Sequence, residues 1–80
     1  MTRDEILVAL TAVFRDVLDD EGIVLGGETT AADVAEWDSL THIQLVVAVE
    51  KRFGIRFSSR EIQGWANVGG MIDSIAAKIK

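Results

Sequence analysis

The sequence lacks cysteine, proline and tyrosine, and it contains a single histidine. Without cysteine the chain can form neither disulfides nor thiolate metal sites, and one histidine is too few for a typical zinc site. The absence of cysteine also leaves the chain without a sulfur nucleophile of its own. We therefore expect no metal centre and no catalysis by a thiol side chain.

Long apolar runs are also missing from the sequence. The longest ones cover only residues 6–10 and 45–49, whereas a helix needs about 20 apolar residues to cross a bilayer. The N-terminal residues are mostly polar and do not resemble the apolar segment of a signal peptide. We therefore expect a soluble, cytoplasmic protein with no membrane insertion.

Basic residues are scarce, with 8 lysines and arginines against 13 acids and a net charge of −5. Because nucleic-acid binding needs a basic face, we expect no nucleic-acid partner. The charge is uneven: residues 1–38 hold ten acids and two bases, and residues 39–80 hold three acids and six bases. The acidic half could steer basic protein partners to the chain, or could simply keep a small protein soluble.

The length of 80 residues and the 49% apolar content predict one folded domain over residues 1–80. Such a chain is too apolar for disorder, but it can build only a modest core. A deep catalytic pocket does not fit in a core of this size. A catalytic pocket is therefore not the first expectation. We expect a monomer.

Helical periodicity dominates the first segment, from Thr2 to about Asp20. Thr2 and Glu5 form a capping-box pattern, and Gly22 is a candidate left-handed stop. One apolar stripe at helical spacing supports the prediction of a helix. It consists of Ile6, Leu7, Leu10, Val13, Phe14, Val17 and Leu18.

A long connection follows, from Gly22 to Trp37, and loops of this length in compact domains are usually functional or held by their own side chains. We expect its apolar residues to hold it against the helices. They are Ile23, Leu25, Val34 and Trp37. The pattern near Thr30–Ala35 is too weak to assert a further helical turn.

Three more helices are predicted after the loop. One begins at Asp38 or Ser39 and ends at Phe53 before Gly54. Asp38 is a suitable N-cap, which makes Ser39 the first helical residue, and the alternative is Ser39 as the cap itself. A short helix covers Ser58–Gly64 with a capping box of its own. The last runs from about Asn67 to Ile79, weakened at its start by two glycines. The sum is an all-α fold, a small antiparallel bundle of three main helices and one short helix.

The second helix carries two apolar faces. At about 100° per residue, Leu45, Val46, Val49 and Phe53 share one face, while Leu40, Ile43 and Val47 share another more than 100° away. A small bundle can bury only one of them. The second strip is typical of a partner surface, unless the preceding loop folds over and covers it.

Ser39 lies at the start of this helix, where the N-terminal end of the dipole favours a negative group such as a phosphate ester. His42, one turn later, suggests a hydrolase. That interpretation is weak because the chain has no Gly-x-Ser-x-Gly motif and no strand before the serine. His42 falls on the core side of the helix, so we expect a packed or capping histidine. Trp37 and Trp65 are predicted to anchor the loop and the bundle.

The stretch VAEWDSLTHIQLVVAVEKRFGIRF, residues 34–57, resembles the central part of acyl carrier proteins. Asp38, Ser39 and Leu40 match the Asp-Ser-Leu motif of that family, and the helix order extends the resemblance over nearly the whole chain. The resemblance implies that Ser39 carries 4′-phosphopantetheine, esterified from coenzyme A by a separate Mg²⁺-dependent phosphopantetheinyl transferase. It also implies that Asp38 helps to present Ser39 to that transferase. A carrier makes no bonds itself, so the resemblance implies that the chain is not an enzyme.

By the same resemblance, Leu40, Ile43 and Val47 face acyl-loading and acyl-transferring enzymes. The second helix departs from fatty-acid carriers, in which the exposed side is typically acidic. Here the corresponding positions are Thr41, Gln44, Glu50, Lys51 and Arg52. This difference leads to the hypothesis of a dedicated pathway carrier rather than the housekeeping fatty-acid carrier.

Trp37 takes the place of the glycine that often precedes the motif in peptidyl carriers, which favours an acyl over a peptidyl or aminoacyl carrier. Another alternative is a helical interaction module with no prosthetic group. The chain resembles a freestanding carrier, although a module excised from a larger synthase would look similar.

Overall fold

A computed structural model describes residues 1–79. Its helices are α1 (Arg3–Val17), α2 (Ser39–Phe53), α3 (Ser59–Gly64) and α4 (Val68–Ile79), with a 3₁₀ turn at Ala31–Asp33 between α1 and α2. No strand occurs in residues 1–79, so the prediction of an all-α fold with three main helices and one short helix is confirmed. α1 packs against both α2 and α4, and α3 packs against α4.

The first helix begins as predicted but ends earlier. The amide of Glu5 donates to the Thr2 hydroxyl (3.1 Å), and the amide of Thr2 donates to the Glu5 carboxylate (2.7 Å). The prediction of a helix to about Asp20 with a left-handed stop at Gly22 is wrong. The helix ends at Val17, and Asp19 takes the left-handed conformation (φ 52°), which the short polar side chain of aspartate tolerates.

The other predicted helix boundaries agree closely with the structure. α2 ends before Gly54, whose left-handed backbone (φ 67°) suits the predicted stop. The capping box at Ser58 and Glu61 is present at the start of α3. α4 begins at Val68, one residue after the predicted start at Asn67, and the Asn67 side chain accepts a hydrogen bond from the amide of Gly70 (3.0 Å).

The helices share one apolar core. Phe14, Leu45 and Ile75 are completely buried in it, as are other residues of the predicted stripes. The prediction that the long loop is held by its apolar residues is confirmed. Four side chains of the loop are buried in this core, namely Ile23, Leu25, Val34 and Trp37. At about 25 cal/mol per Å² of apolar surface, their burial offsets part of the entropy lost in ordering the loop.

Backbone hydrogen bonds also hold the loop on the start of α4. The amide of Val68 donates to the carbonyl of Thr29 (2.8 Å), and the amide of Gly69 donates to the carbonyl of Gly27 (2.7 Å). The first amides of a helix have no partner within the helix. The loop therefore caps α4, and this contact fixes the segment that leads to Ser39.

Gly69 is the tightest point of this contact, because a Cβ atom there would lie 2.8 Å from the Gly27 carbonyl oxygen. Alanine normally stabilises a helix by about 1 kcal/mol relative to glycine. We expect the opposite for Gly69→Ala, a loss of about 1–3 kcal/mol, because the loop must move away. Urea unfolding followed by circular dichroism measures this difference.

Gly64→Ala is the matched control, since a Cβ atom at Gly64 meets nothing within 4 Å. We expect its stability to equal or exceed that of the unmodified sequence. A Gly69→Ala protein as stable as Gly64→Ala would show that the loop contact does not constrain the start of α4.

Candidate functional site

Ser39 is the first residue of α2, and its side chain is exposed. Asp38 caps this helix: its Oδ1 accepts hydrogen bonds from the amides of Leu40 (3.0 Å) and Thr41 (2.9 Å). In return the Thr41 hydroxyl accepts a hydrogen bond from the amide of Asp38 (2.8 Å). The predicted N-cap at Asp38 is therefore confirmed, and capping does not require the Ser39 hydroxyl.

The Asp38 carboxyl group is held in its charged form. Hydrogen bonds from the backbone amide and hydroxyl of Thr41, and from the amide of Leu40, lower the pKa of Asp38 below its ordinary value of 3.8. Negative charge at this position is also favoured by the helix dipole. The Ser39 hydroxyl makes no hydrogen bond to any residue within 1–79. It is thus a free hydroxyl at a helix start that other residues cap.

Trp37 fixes the segment immediately before this helix. Its indole ring is buried and packs edge-on against Phe14, with 5.0 Å between the ring centroids. Its Nε1–H donates to Nδ1 of His42 (3.0 Å). The predicted role of Trp37 as an anchor is confirmed, and Trp37 with Asp38 positions Ser39 from the N-terminal side.

Trp65 is the second aromatic anchor. Its Nε1–H donates to the hydroxyl of Ser74 (2.8 Å) on α4, and its ring packs edge-on against Phe57, with 4.8 Å between the ring centroids. The predicted anchoring role of Trp65 is therefore confirmed as well. It connects the segment before α3 to α4.

His42 packs between the two tryptophans rather than serving Ser39. Its ring lies nearly parallel to that of Trp37 (5.9 Å between centroids) and edge-on to that of Trp65 (6.3 Å). Because Nδ1 accepts the indole N–H of Trp37, the neutral ring carries its proton on Nε2. The expectation of a packed histidine is confirmed, and the hydrolase interpretation receives no support from this geometry.

His42 makes the stability depend on pH. Partial burial lowers its pKa below the ordinary value of 6.5, so the unfolded chain binds a proton at this residue more readily than the folded protein. The contribution of the neutral ring is complete above the unfolded value and is lost as the pH falls through 6.5 towards the folded pKa. We expect the free energy of unfolding to decrease over this window.

Urea unfolding at a series of pH values, with NMR titration of the His42 ring, measures the effect. In His42→Gln the decrease should be absent until the pH falls far enough for the carboxylates of the unfolded chain to bind protons, near their ordinary pKa values of 3.8 to 4.5. A His42 ring that titrates at or above 6.5 would contradict the prediction.

A cleft of about 460 Å³ opens beside Ser39. The residues that line it come from the segment before α2, from α2 itself and from the segment leading into α4. They include Trp37, Ser39, His42, Trp65, Asn67 and Met71. The walls are largely aromatic and apolar, so the cleft can hold part of a flexible group attached to Ser39. Sequence analysis missed this cleft, since no spacing pattern links Trp37 to Asn67 and Met71.

Leu40, Ile43 and Val47 form an exposed apolar strip along α2, with 68%, 64% and 45% of their respective surfaces accessible. Leu45 and Val49 on the other face of α2 are completely buried. The prediction of two apolar faces is therefore confirmed. The alternative, in which the long loop covers the strip, is wrong because all three side chains of the strip remain exposed.

An exposed serine hydroxyl at a capped helix start, next to a cleft and an exposed apolar strip, fits one class of protein, the small helical carriers. The comparisons agree. The family model described as "Phosphopantetheine attachment site" matches residues 8–75. The fold is similar to the solution NMR structure of the holo acyl carrier protein from Geobacter metallireducens, with a TM-score of 0.86. That chain is 45% identical, and the match covers 91% of this chain and 84% of that one.

Two further relatives are similar over nearly their whole length. The acyl carrier protein of Acidothermus cellulolyticus is 30% identical over 95% of this chain and 90% of its own. The acyl carrier protein of Thermosynechococcus vestitus is 28% identical over 99% of this chain and 98% of its own. The chain belongs to the phosphopantetheine-binding acyl carrier protein family.

Membership of this family means that the chain is a carrier and not an enzyme, and that 4′-phosphopantetheine is its covalent prosthetic group. The exposed, unbonded Ser39 hydroxyl and the neighbouring cleft fit such a group. A phosphopantetheinyl transferase and acyl-handling enzymes are its general class of partner. No helix within residues 1–79 is long and apolar enough to cross a membrane.

Proposed function

We propose that Ser39 is the attachment point for 4′-phosphopantetheine and that the chain shuttles acyl groups as thioesters on this arm. The observation that carries the proposal is the Ser39 hydroxyl itself, exposed and unbonded at the first position of α2. In the reaction, Ser39 Oγ forms a bond to the phosphorus next to pantetheine. The pyrophosphate bond of coenzyme A breaks, the nucleotide bisphosphate leaves, and the serine loses its proton.

The arm supplies the thiol that the sequence lacks. A thioester keeps the acyl group activated, and tethering raises its effective concentration at each docked enzyme without tight binding. Asp38 supports this role by holding the helix start rigid, with a charged carboxylate that a transferase can recognise. The chain itself makes and breaks no bond of the cargo.

The direct test is the intact mass of the protein after incubation with coenzyme A, Mg²⁺ and a broad-specificity phosphopantetheinyl transferase. We expect one added phosphopantetheine, located on the peptide that contains Ser39. A folded protein that gains no mass, even with the transferase of the source organism, would contradict the proposal. That result would favour the alternative, a helical interaction module without a prosthetic group.

We propose further that Leu40, Ile43 and Val47 are the surface on which the transferase and the acyl-handling enzymes dock. Three large apolar side chains exposed in a row are costly for an isolated protein and typical of a binding surface. The strip begins one residue after Ser39, so that a bound enzyme would have the arm at the edge of its interface.

We propose, third, that the carrier serves a dedicated pathway rather than housekeeping fatty-acid synthesis. This part of the proposal is supported by the exposed side of α2, which lacks the acidic character typical of fatty-acid carriers. We expect fatty-acid ketosynthase and transacylase to process the acyl form at least about tenfold less efficiently than their own carrier.

Steady-state loading rates with both carriers in parallel measure this ratio. Equal rates would contradict the dedicated role. Loading by amino-acid-activating enzymes, but not by acyl-activating ones, would favour the aminoacyl carrier alternative.

A further inference from the structure

The exposed apolar strip of α2 continues into a basic end. At about 100° per residue, Lys51 falls on the same face as Leu40 and Val47. A groove of about 460 Å³ lies beside Val47 and Lys51, and Glu50, Arg56 and the turn that ends α2 also line it. The strip and this end together, Leu40, Ile43, Val47, Lys51 and Arg56, are called the docking face below.

One acidic residue, Glu50, also lines this groove, but it forms no ion pair with Lys51 or Arg56. Glu50, the single acid in α2, accepts a hydrogen bond from the amide of Phe57 (2.8 Å) and is half-buried. Its carboxylate therefore serves the turn after α2. Lys51 and Arg56 are exposed and form no ion pair with any residue within 1–79. Both positive charges are available to a partner.

The local charge is opposite in sign to that of the whole chain. The protein carries a net charge of −5, so long-range attraction would bring basic molecules to it. A partner that recognises the docking face must instead place acidic side chains near Lys51 and Arg56. Charge complementarity of this kind selects partners and suppresses wrong ones.

We infer that each acyl-handling enzyme of this carrier binds the docking face with an apolar groove on the enzyme surface. An acidic patch of the enzyme beside that groove pairs with Lys51 and Arg56. Twelve residues of helix separate Ser39 from Lys51, or about 18 Å along the axis. The acidic patch of the enzyme should lie at about this distance from the entrance of its active site. The inference deepens the proposed function and rests on it for the identity of the partner.

Two matched synthetic helical peptides test the inference. Both carry the same leucine stripe, flanked by glutamates in one and by lysines in the other. Each is titrated into the nitrogen-15-labelled protein while the backbone amide shifts are followed by NMR. We expect the acidic peptide to shift the amides of the docking face saturably and to bind at least about tenfold more tightly than the basic one. The difference should shrink between about 50 and 300 mM salt.

Lys51→Glu and Arg52→Glu are the matched pair of variants. The two residues are neighbours in the last turn of α2, both exposed, and each substitution changes the net charge equally. Arg52 lies about 100° around the helix from Lys51, outside the docking face. We expect Lys51→Glu to weaken binding of the acidic peptide at least about fivefold. Arg52→Glu should change the dissociation constant of that peptide less than about twofold.

Several results would overturn the inference. They are tighter binding of the basic peptide, saturable shifts on another surface, equal effects of the two variants, or no saturable binding of either peptide. Shifts of the docking face that depend on protein concentration alone would identify a second copy of the chain as the occupant. The titrations are done on protein with and without the phosphopantetheine arm. A failure of peptide binding is thereby distinguished from a failure of the modification at Ser39.

Discussion

Replacement of Ser39 by alanine is expected to abolish attachment of phosphopantetheine completely and leave the fold intact. The hydroxyl is the atom that would be esterified, and no other side chain occupies its position at the start of α2. The Ser39 side chain is exposed, and the helix keeps its cap because Asp38 accepts the amides of Leu40 and Thr41. The free energy of unfolding should change by less than about 1 kcal/mol.

Ser59→Ala is the matched control for this substitution. Ser59 is the first residue of α3, exposed and preceded by the capping residue Ser58, so its place in the helix corresponds to that of Ser39. The Ser59→Ala protein should take up one phosphopantetheine at the normal rate. Mass spectrometry and urea unfolding of both variants provide the measurements. A Ser39→Ala protein that still gains the group would move the attachment point elsewhere.

Trp37→Ala is expected to cause the largest loss of stability among single substitutions near the site. The change removes a buried indole that packs against Phe14 and donates a hydrogen bond to His42. Large-to-small substitutions of buried tryptophan cost about 3–5 kcal/mol. Because a domain of this size is stable by only about 4–12 kcal/mol, a large part of the stability would be lost.

The start of α2 should be affected most by this substitution. We expect slower modification of Ser39 in Trp37→Ala at temperatures where the variant is still folded, since the residues before Asp38 lose their anchor. Urea unfolding, together with the initial rate of phosphopantetheine attachment, measures both effects. Stability equal to the original protein would contradict the anchoring role of Trp37.

Trp37→Phe separates the two contributions of the indole. Phenylalanine keeps an aromatic ring in the core but cannot donate to Nδ1 of His42. Loss of one hydrogen bond costs about 0.5–1.5 kcal/mol, so this variant should lie between Trp37→Ala and the original sequence. If it is as unstable as Trp37→Ala, the hydrogen bond and the fit of the larger ring matter more than aromatic packing.

Local rules were sufficient where the interacting residues are close in sequence. Thr2 with Glu5, and Asp38 with Thr41, lie three residues apart, and both capping arrangements are present. The end of α1 escaped prediction, because glycine is the usual left-handed residue and here Asp19 takes that conformation instead of Gly22.

The sequence alone determined the order of the helices and where they begin. It also determined that Ser39 follows a capping residue at the start of α2, and that α2 has two apolar faces. Each depends on helical periodicity or on contacts within one turn. Only the tertiary structure decided that the long loop leaves the Leu40, Ile43 and Val47 strip uncovered, where that loop binds, and that a cleft opens beside Ser39. These features depend on residues far apart in the chain, such as Gly27 with Gly69 or Trp37 with Met71. Their contacts follow from packing around a shared core, which spacing within one segment does not encode.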